Sequence, residues 1–196
     1  MPGQSTHTKR RFSIGAFHNR YFVGRGIDVG GGHDPLTING HAFRLITSID
    51  IWDVPQGDAQ VLAGIPDNAY DFLHSTHTLE HLQDPNVGLF NWIRVVRPGG
   101  HLIITVPDED LYERGSWPSK FNPDHKWSFT ICKKESWNKG RSINVLDLCT
   151  RFAELVEVEK IELVADFFNV QLPPHIDQTA RTLTAECAIE VILRKR

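Results

Sequence analysis

Cysteine and methionine are scarce in this chain, which has three cysteines and one methionine among 196 residues. Cys132, Cys149 and Cys187 lie far apart in the sequence and form no CxxC pair. Isolated cysteines of this kind are typical of ordinary thiols in a reducing compartment. We therefore expect a cytoplasmic protein without a disulfide framework.

Long hydrophobic runs and a surplus of one charge are also missing. No stretch approaches the roughly 18 apolar residues that a membrane span needs. Residues 1–11 are polar and basic, without the apolar core of a secretory signal. The formal net charge is −3, which gives no electrostatic footprint for nucleic acid or an anionic membrane. The length suits one domain with a sizeable core.

Glycine, in contrast, is concentrated in the stretch Gly26-Ile27-Asp28-Val29-Gly30-Gly31-Gly32. This pattern predicts a strand that ends in a tight turn. Glycine reaches positive φ at little cost and has no Cβ to block a close approach. In α/β folds such a turn brings a nucleotide-like ligand against the main chain, although many glycine-rich turns bind nothing.

Further segments downstream fit the same architecture. Residues 44–50 predict a second strand that ends in Asp50, which lies about 20 residues after the glycines, where α/β nucleotide sites place a carboxylate for ribose hydroxyls. Residues 70–75 and 101–106 predict buried strands. Residues 85–96 predict a helix on the sheet, because their apolar positions follow the helical period.

The ordered series resembles the class I S-adenosylmethionine-dependent methyltransferases, specifically their small type 11 group. Besides the glycine turn, the resemblance rests on Gly57-Asp58-Ala59, on the segment 77–82 (HTLEHL) and on Pro98-Gly99-Gly100, and it spans residues 24–107. It implies an α/β, Rossmann-like methyltransferase fold with a mostly parallel sheet and an antiparallel last strand. It also implies S-adenosylmethionine as cofactor and an oxygen or nitrogen of a small-molecule acceptor as target, with a sugar of surface polysaccharide as one candidate.

Two departures from that family pattern are visible. Residues 33–40 contain proline, asparagine and glycine, so we expect an irregular connection after the glycine turn instead of a helix. Only seven residues separate Asp50 from Asp58, whereas a parallel crossover takes about a dozen or more. We therefore expect strand three of the family fold to be degenerate or missing.

The remaining segments give the domain organisation. We expect residues 1–11 to be a disordered tail and residues 12–196 to form one methyltransferase-like domain. Residues 108–141 lack periodicity but are rich in tryptophan and phenylalanine, which predicts a lid or substrate-binding insertion, called the insertion below. Residues 142–157 predict a helix, and the segments 156–165 and 185–193 predict the last two strands.

The resemblance also implies which side chains contact the cofactor. Glycines would allow close approach, Asp28 would anchor the amino-acid tail, Asp50 would accept the ribose hydroxyls, and the end of the strand 70–75 would flank the methyl group or the tail. The alternative for Asp28 is a loop-capping acid, and for Asp58 it is a turn acid. The predicted cofactor-binding residues are Asp28, Gly30, Gly32, Asp50, Asp58, Ala59 and Ser75.

Histidines supply the candidate catalytic groups. His125 is the natural general base for methylation of a hydroxyl, because its pKa is tunable near neutrality; the alternative is that it holds the insertion in place. His77 lies near the expected acceptor. With Glu80 and His81 it forms an HxxEH pattern, which in zinc peptidases belongs on a helix. In the present context we expect no metal.

Two functions other than a methyltransferase are also considered. One is a non-catalytic module that binds S-adenosylmethionine or S-adenosylhomocysteine, suggested by the trimmed region after the second strand. The other is an NAD-dependent enzyme, which the GGG turn disfavours because it is not GxGxxG. As partners we expect a small-molecule acceptor, no nucleic acid and no membrane span, and we leave a homodimer open.

Overall fold

The computed structural model of this protein describes residues 4–131, 133–180 and 182–196. Eight strands and four α-helices lie within these ranges. The strands are β1 (Gly24–Val29), β2 (Ile46–Trp52), β3 (Tyr70–Thr76), β4 (Val96–Pro107), β5 (Ser128–Thr130), β6 (Ser142–Asn144), β7 (Val156–Val164) and β8 (Ala188–Lys195). The helices are α1 (Gln4–Ser13), α2 (Phe17–Tyr21), α3 (Pro85–Val95) and α4 (Val145–Thr150).

Six strands form one sheet in the order β2-β1-β3-β4-β8-β7, and β5 pairs with β6 separately. Strands β2, β1, β3 and β4 are parallel, whereas β8 is antiparallel to both β4 and β7. This arrangement confirms the predicted mostly parallel, Rossmann-like methyltransferase sheet with an antiparallel last strand.

The region between β2 and β3 lacks a strand. Residues 53–69 are all described and consist of turns and bends. Strand β2 consequently forms one edge of the sheet. The loss of strand three is therefore confirmed, and its cause is the short spacing: the chain crosses directly from the end of β2 back to β3. The connection after the glycine turn is also irregular as predicted, since it contains a 3-10 segment over Leu36–Ala42.

Hydrophobic side chains cover both faces of the sheet. One face packs against α3 and α4, with Trp92 and Leu148 in the core. Helix α3 begins where predicted, because the Asp84 side chain caps the amides of Asn86 and Val87 and Pro85 occupies the first turn. The other face is covered by an aromatic cluster from α2 and its flanks, which includes Phe22.

The predicted disorder of residues 1–11 is wrong for the part that the structure describes. Residues 4–13 form α1, while residues 1–3 lie outside the described ranges. The helix is fixed by polar contacts, since its buried His7 and Arg11 reach Glu186 and Glu190 near the other end of the chain. The sequence around α1 does not indicate these partners, because they lie near the other end of the chain.

The helix predicted over residues 142–157 is much shorter than expected. Residues 142–144 form β6, α4 ends at Thr150, and β7 already begins at Val156. The side chain of Asn144 accepts hydrogen bonds from the amides of Leu146 and Asp147, which starts the helix three residues late.

Two further features concern the chain as a whole. Cys149 and Cys187 are free and buried thiols, whereas Cys132 lies outside the described residues. Among the described helices, none has both the length and the apolar character needed to cross a membrane.

Candidate active site

The glycine turn lies at the carboxyl edge of the parallel strands. The amide of Gly30 donates to the carbonyl of Trp52 at 2.8 Å, so the turn is joined to the end of β2. Gly30 has a φ of 78°, and a Cβ there would lie 1.8 Å from Oγ1 of Thr78. Glycine is therefore required at this position for both conformation and space.

Two neighbouring cavities open at this edge. The larger, of about 540 Å³, is lined by Gly30, Asp53, Val54, Gly57, Asp58, Ala59, His77, Thr78, His81 and Leu82. The smaller, of about 370 Å³, is lined by Gln4, Asp28, Gly30, Gly31, Gly32, His33, Asp34, His74, Thr76 and His77. Gly30 and His77 line both cavities, so they mark the junction between them.

Most of the predicted cofactor residues lie around these cavities. Gly30, Asp58 and Ala59 line the larger one, and Asp28 and Gly32 line the smaller one. The sequence pattern thus located residues from three separate segments that the fold brings together.

Asp50 lies outside the cleft. Its position in β2 is opposite Ile27, two residues before the end of the strand. The carboxylate accepts hydrogen bonds from Arg25 and from the hydroxyl of Tyr70, each at 2.8 Å. These contacts hold the pKa of Asp50 below its ordinary value, the hydrogen bond from Arg25 being the largest cause. The structure therefore does not support a ribose contact for Asp50.

Asp53, unlike Asp50, lies beside the glycine turn. It follows the last residue of β2 and lines the larger cavity. Its Oδ2 would lie 3.3 Å from a Cβ on Gly32, which places the carboxylate directly beside the glycine turn. Asp53 was not among the residues predicted from the sequence, because that prediction used the distance from the glycines along the chain and not the position relative to the end of β2.

Ser75 also lies away from both cavities. It is buried, and its hydroxyl donates to the carbonyl of Val29 at 3.0 Å. This bond ties β3 to β1 just before the glycine turn. Its neighbour Thr76 lines the smaller cavity instead.

Asp28 is part of a buried polar chain beneath the turn. Oδ2 accepts from the amide of Leu36, and Oδ1 lies 2.7 Å from Nδ1 of His74. Nε2 of His74 lies 3.1 Å from the guanidinium of Arg11. Burial lowers the pKa of His74, although the Asp28 carboxylate raises it. A neutral ring explains both contacts, with Nδ1–H donating to Asp28 and Nε2 accepting from Arg11.

His77, which lies at the junction of the two cavities, has an unusual backbone conformation. Its φ is 55°, in the left-handed region that few residues other than glycine adopt. Nε2 lies 3.2 Å from Nε2 of His7, whose Nδ1 lies 2.5 Å from the carboxylate of Glu186. If Nδ1–H of His7 donates to Glu186, then Nε2 of His7 accepts from His77. The remaining nitrogen of His77, Nδ1, faces Glu80 at 3.5 Å.

His125 is buried in the insertion and lines neither cavity. Its Nδ1 lies 2.7 Å from the carboxylate of Glu113, and its Nε2 lies 3.9 Å from Oε1 of Glu80. The structure therefore brings His125 to the HxxEH segment, a contact that the sequence did not predict. It does not place His125 where an acceptor could reach it.

Acidification is expected to destabilise the protein through His7. Burial lowers the pKa of His7 from 6.5 to about 4, more than its bond to Glu186 raises it. The unfolded chain then takes up the proton first as the pH falls. The stabilisation is complete above pH 6.5 and declines toward pH 4, by about 3 kcal/mol in total at about 1.36 kcal/mol per pKa unit.

Urea unfolding at pH 7.5, 6, 5 and 4 measures this effect. His7→Gln should show a flatter dependence on pH than the natural chain, whereas His41→Gln, at an exposed position, should follow the natural chain. Parallel curves for His7→Gln and the natural chain would contradict the assignment.

Comparison with known proteins places the chain in a family. A family model described as a methyltransferase domain matches residues 9–141, which is more than half of the chain. The search of curated proteins gave no match.

Solved structures with a similar fold have low sequence identity. An S-adenosylmethionine-dependent methyltransferase from Mesorhizobium loti is 14% identical, with 87% of this chain and 90% of that chain covered and a TM-score of 0.51. A proposed methyltransferase of the same class from Listeria monocytogenes is 12% identical, with coverage of 98% and 100% and a TM-score of 0.55. The [4+2]-cyclase SpnF is 16% identical, with coverage of 95% and 80% and a TM-score of 0.57.

These likenesses concern the fold, and the cyclase among them indicates that the fold alone does not define a reaction. The family model is more specific, because the matched residues include the glycine turn, all residues that line the larger cavity and the HxxEH segment. The chain belongs to the methyltransferase domain family, and its cofactor is S-adenosylmethionine.

Proposed function

We propose that the protein transfers a methyl group from S-adenosylmethionine to an oxygen or nitrogen of a small polar acceptor. The observation that supports this most directly is the convergence of the glycine turn, Asp53 and His77 on two adjoining cavities. One cavity can receive the adenosyl part of the cofactor and the other its amino-acid tail, with the junction left for the reacting groups.

The residues around the cavities suit this cofactor chemically. In the larger cavity, Asp53 can supply a carboxylate for a ribose diol, and Asp58 with Ala59 can supply polar contacts to an adenine edge. In the smaller cavity, Asp28 supplies negative charge for an ammonium group. The missing Cβ atom of Gly32 leaves room beside Asp53 for close approach.

The bound cofactor supplies an electrophilic methyl group. The contribution of the chain is to align the acceptor with it and to take up the proton that the acceptor loses. His77 is the residue placed for this second task, because it lines both cavities and its ring is held by His7. His125 is not proposed as the base, because Glu113 and Glu80 surround it away from the cavities.

The size of the cleft favours a small acceptor. With the cofactor in the two cavities, only their junction at Gly30 and His77 is left for the acceptor. A net charge of −3 disfavours a polyanionic substrate. A sugar hydroxyl of a polysaccharide precursor is one acceptor that the sequence resemblance suggests.

Calorimetry tests whether the protein binds S-adenosylmethionine and S-adenosylhomocysteine. Turnover is tested by measuring the S-adenosylhomocysteine formed with a panel of sugar, nucleotide-sugar and amine acceptors. We expect His77→Ala to lower turnover about 10²–10⁴-fold, the range for loss of a positioned general base. Cofactor affinity should change little.

His41→Ala is the control, because His41 is an exposed histidine in the 3-10 segment Leu36–Ala42. Failure of a folded sample to bind either cofactor form would overturn the proposed function. If the protein binds the cofactor but methylates no acceptor of the panel, the result would favour a non-catalytic binding module.

A further inference from the structure

We propose that Glu80, His81 and His125 form a binding site for a divalent first-row transition metal ion. Nε2 of His81 lies 4.0 Å from Oε1 of Glu80, and Nε2 of His125 lies 3.9 Å from the same oxygen. One donor atom from each of the three residues lies within 4.8 Å of the other two. The inference concerns a site beside the cofactor cleft and does not depend on the proposed reaction.

Glu80 is a buried carboxylate whose nearest titratable neighbours are three histidines, His77, His81 and His125, at 3.5, 4.0 and 3.9 Å. The side chain of Glu80 is 0% exposed, and neither of its carboxylate oxygens has a hydrogen-bond partner in the described residues. Nε2 of His125 is buried without a partner as well. Buried ionised groups of this kind are costly unless they are paired or coordinate a metal. An ion between them would satisfy both groups at once.

The other nitrogens of the two histidines are already engaged. Nδ1 of His125 lies 2.7 Å from Oε1 of Glu113, and Nδ1 of His81 lies 3.2 Å from the carbonyl of Asp124. Both partners are acceptors, so each Nδ1–H donates to its partner and each Nε2 faces Glu80. Metal-binding histidines are commonly oriented by a carboxylate or a carbonyl in this way.

The donor set selects the class of metal. Two imidazoles and one carboxylate suit Zn²⁺ and its first-row neighbours better than Mg²⁺ or Ca²⁺, which prefer oxygen ligands. Metal–ligand bonds of about 2.1 Å allow donor atoms to lie at most about 4.2 Å apart. The two distances to Glu80 already fall within that limit.

The ligands come from two parts of the fold. Glu80 and His81 belong to the 3-10 segment Leu79–His81 after β3, whereas His125 and its partner Glu113 belong to the insertion. His81 lines the larger cavity. An ion here would fasten the insertion to the sheet edge beside the cofactor. The HxxEH pattern therefore supplies ligands here without the helix that zinc peptidases use, with His125 as the missing downstream ligand.

Metal titration of the full chain without a polyhistidine tag tests the site. The sample is stripped with a chelator, dialysed and titrated with Zn²⁺ by calorimetry, and metal content is measured after gel filtration. We expect one Zn²⁺ per chain and, with Co²⁺, visible absorption bands of a coordinated ion. Zn²⁺ should also raise the unfolding temperature, because it binds the folded state.

Variants distinguish this site from adventitious binding by the other histidines of the chain, which has ten in total. We expect Glu113→Gln to weaken Zn²⁺ binding about 10–100-fold, the typical cost of losing a partner of a ligand, and His81→Gln and His125→Gln to weaken it at least as much. His175→Gln is the matched control, since His175 is exposed, and its affinity should equal that of the natural chain.

Absence of stoichiometric Zn²⁺ and Co²⁺ binding in a folded sample would overturn the proposal. Equal affinity of the His81→Gln variant and the natural chain would do the same. The His81 variant is decisive even if His125→Gln does not fold, because the His81 side chain is 29% exposed and tolerates replacement more readily.

Discussion

Replacing Glu190 with glutamine is expected to destabilise the fold by about 3–5 kcal/mol, the cost of removing one partner of a buried ion pair. Glu190 in β8 and Arg11 in α1 are both 0% exposed, and Oε2 of Glu190 accepts from Nε of Arg11 at 2.6 Å. Burial raises the pKa of Glu190, but Arg11 and Arg10 outweigh it and keep the carboxyl well below its ordinary value.

The substitution would leave the guanidinium of Arg11 without a carboxylate. Its other hydrogen-bond partners in the described residues are His74 and Thr105, which carry no charge when His74 is neutral. Glutamine keeps the size of the side chain, so the lower stability of the variant would result from the missing charge and not from a cavity. Urea unfolding at pH 7 measures it, and a chain of this size should lose about 2–4 °C of unfolding temperature per kcal/mol.

Glu157→Gln is the matched control. Glu157 in β7 pairs with Arg194 in β8 at 3.6 Å, and both side chains are about half exposed. Exposed pairs of this kind contribute about 0–1 kcal/mol. The two variants make the same chemical change on neighbouring strands. If both variants lost a similar free energy of unfolding, the buried ion pair between Glu190 and Arg11 would not be what holds α1 on the sheet.

Helix α1 illustrates what a sequence cannot reveal by itself. Its residues are polar and basic, with Arg10 and Arg11 in the last turn and no apolar face, so the segment resembles a solvated tail. The stabilising partners lie about 180 positions away in the chain. Glu186 and Glu190 resemble exposed acids of an edge strand until the topology places β8 beside β4. Ion pairs between residues that are distant in the chain cannot be predicted from the sequence around either residue.

The sheet, in contrast, could be predicted because its signals are local. The glycines that end β1 indicate that strand, and a near-continuous apolar run over residues 101–106 indicates β4, as expected for a strand buried on both faces. The loss of strand three followed from chain length, since the spacing between Asp50 and Asp58 is too short for a crossover. In each case the evidence lies within a few residues of the element concerned.

The predicted ribose contact depends on where β2 ends. The sequence predicted Asp50 from its distance to the glycines, but the strand continues to Trp52. Side chains of a strand alternate between its faces, and only the residue after its last pair reaches the edge where the glycine turn lies. Strand ends are difficult to locate from sequence, and three positions separate Asp50 within β2 from Asp53 beside the cavity.

Asp53→Ala is accordingly expected to weaken binding of S-adenosylmethionine by about 1–3 kcal/mol, the cost of leaving hydrogen bonds to a charged group unmade. This corresponds to about a 5–150-fold higher dissociation constant. Asp53 lines the larger cavity beside Gly30, and its Oδ2 faces Gly32. Calorimetry with S-adenosylhomocysteine measures the same contact without turnover, because both molecules share the adenosine.

Asp50→Ala is the control that makes this test specific. It removes the same carboxylate charge three residues away, so any effect of net charge on the cofactor is matched. Asp50 is about half exposed and its partners are Arg25 and Tyr70, so its loss should leave cofactor affinity within about twofold and cost less than about 1 kcal/mol of stability. If Asp50→Ala weakened binding and Asp53→Ala did not, the ribose would be bound at the sheet edge near Arg25, and the cleft described above would not be the adenosyl site.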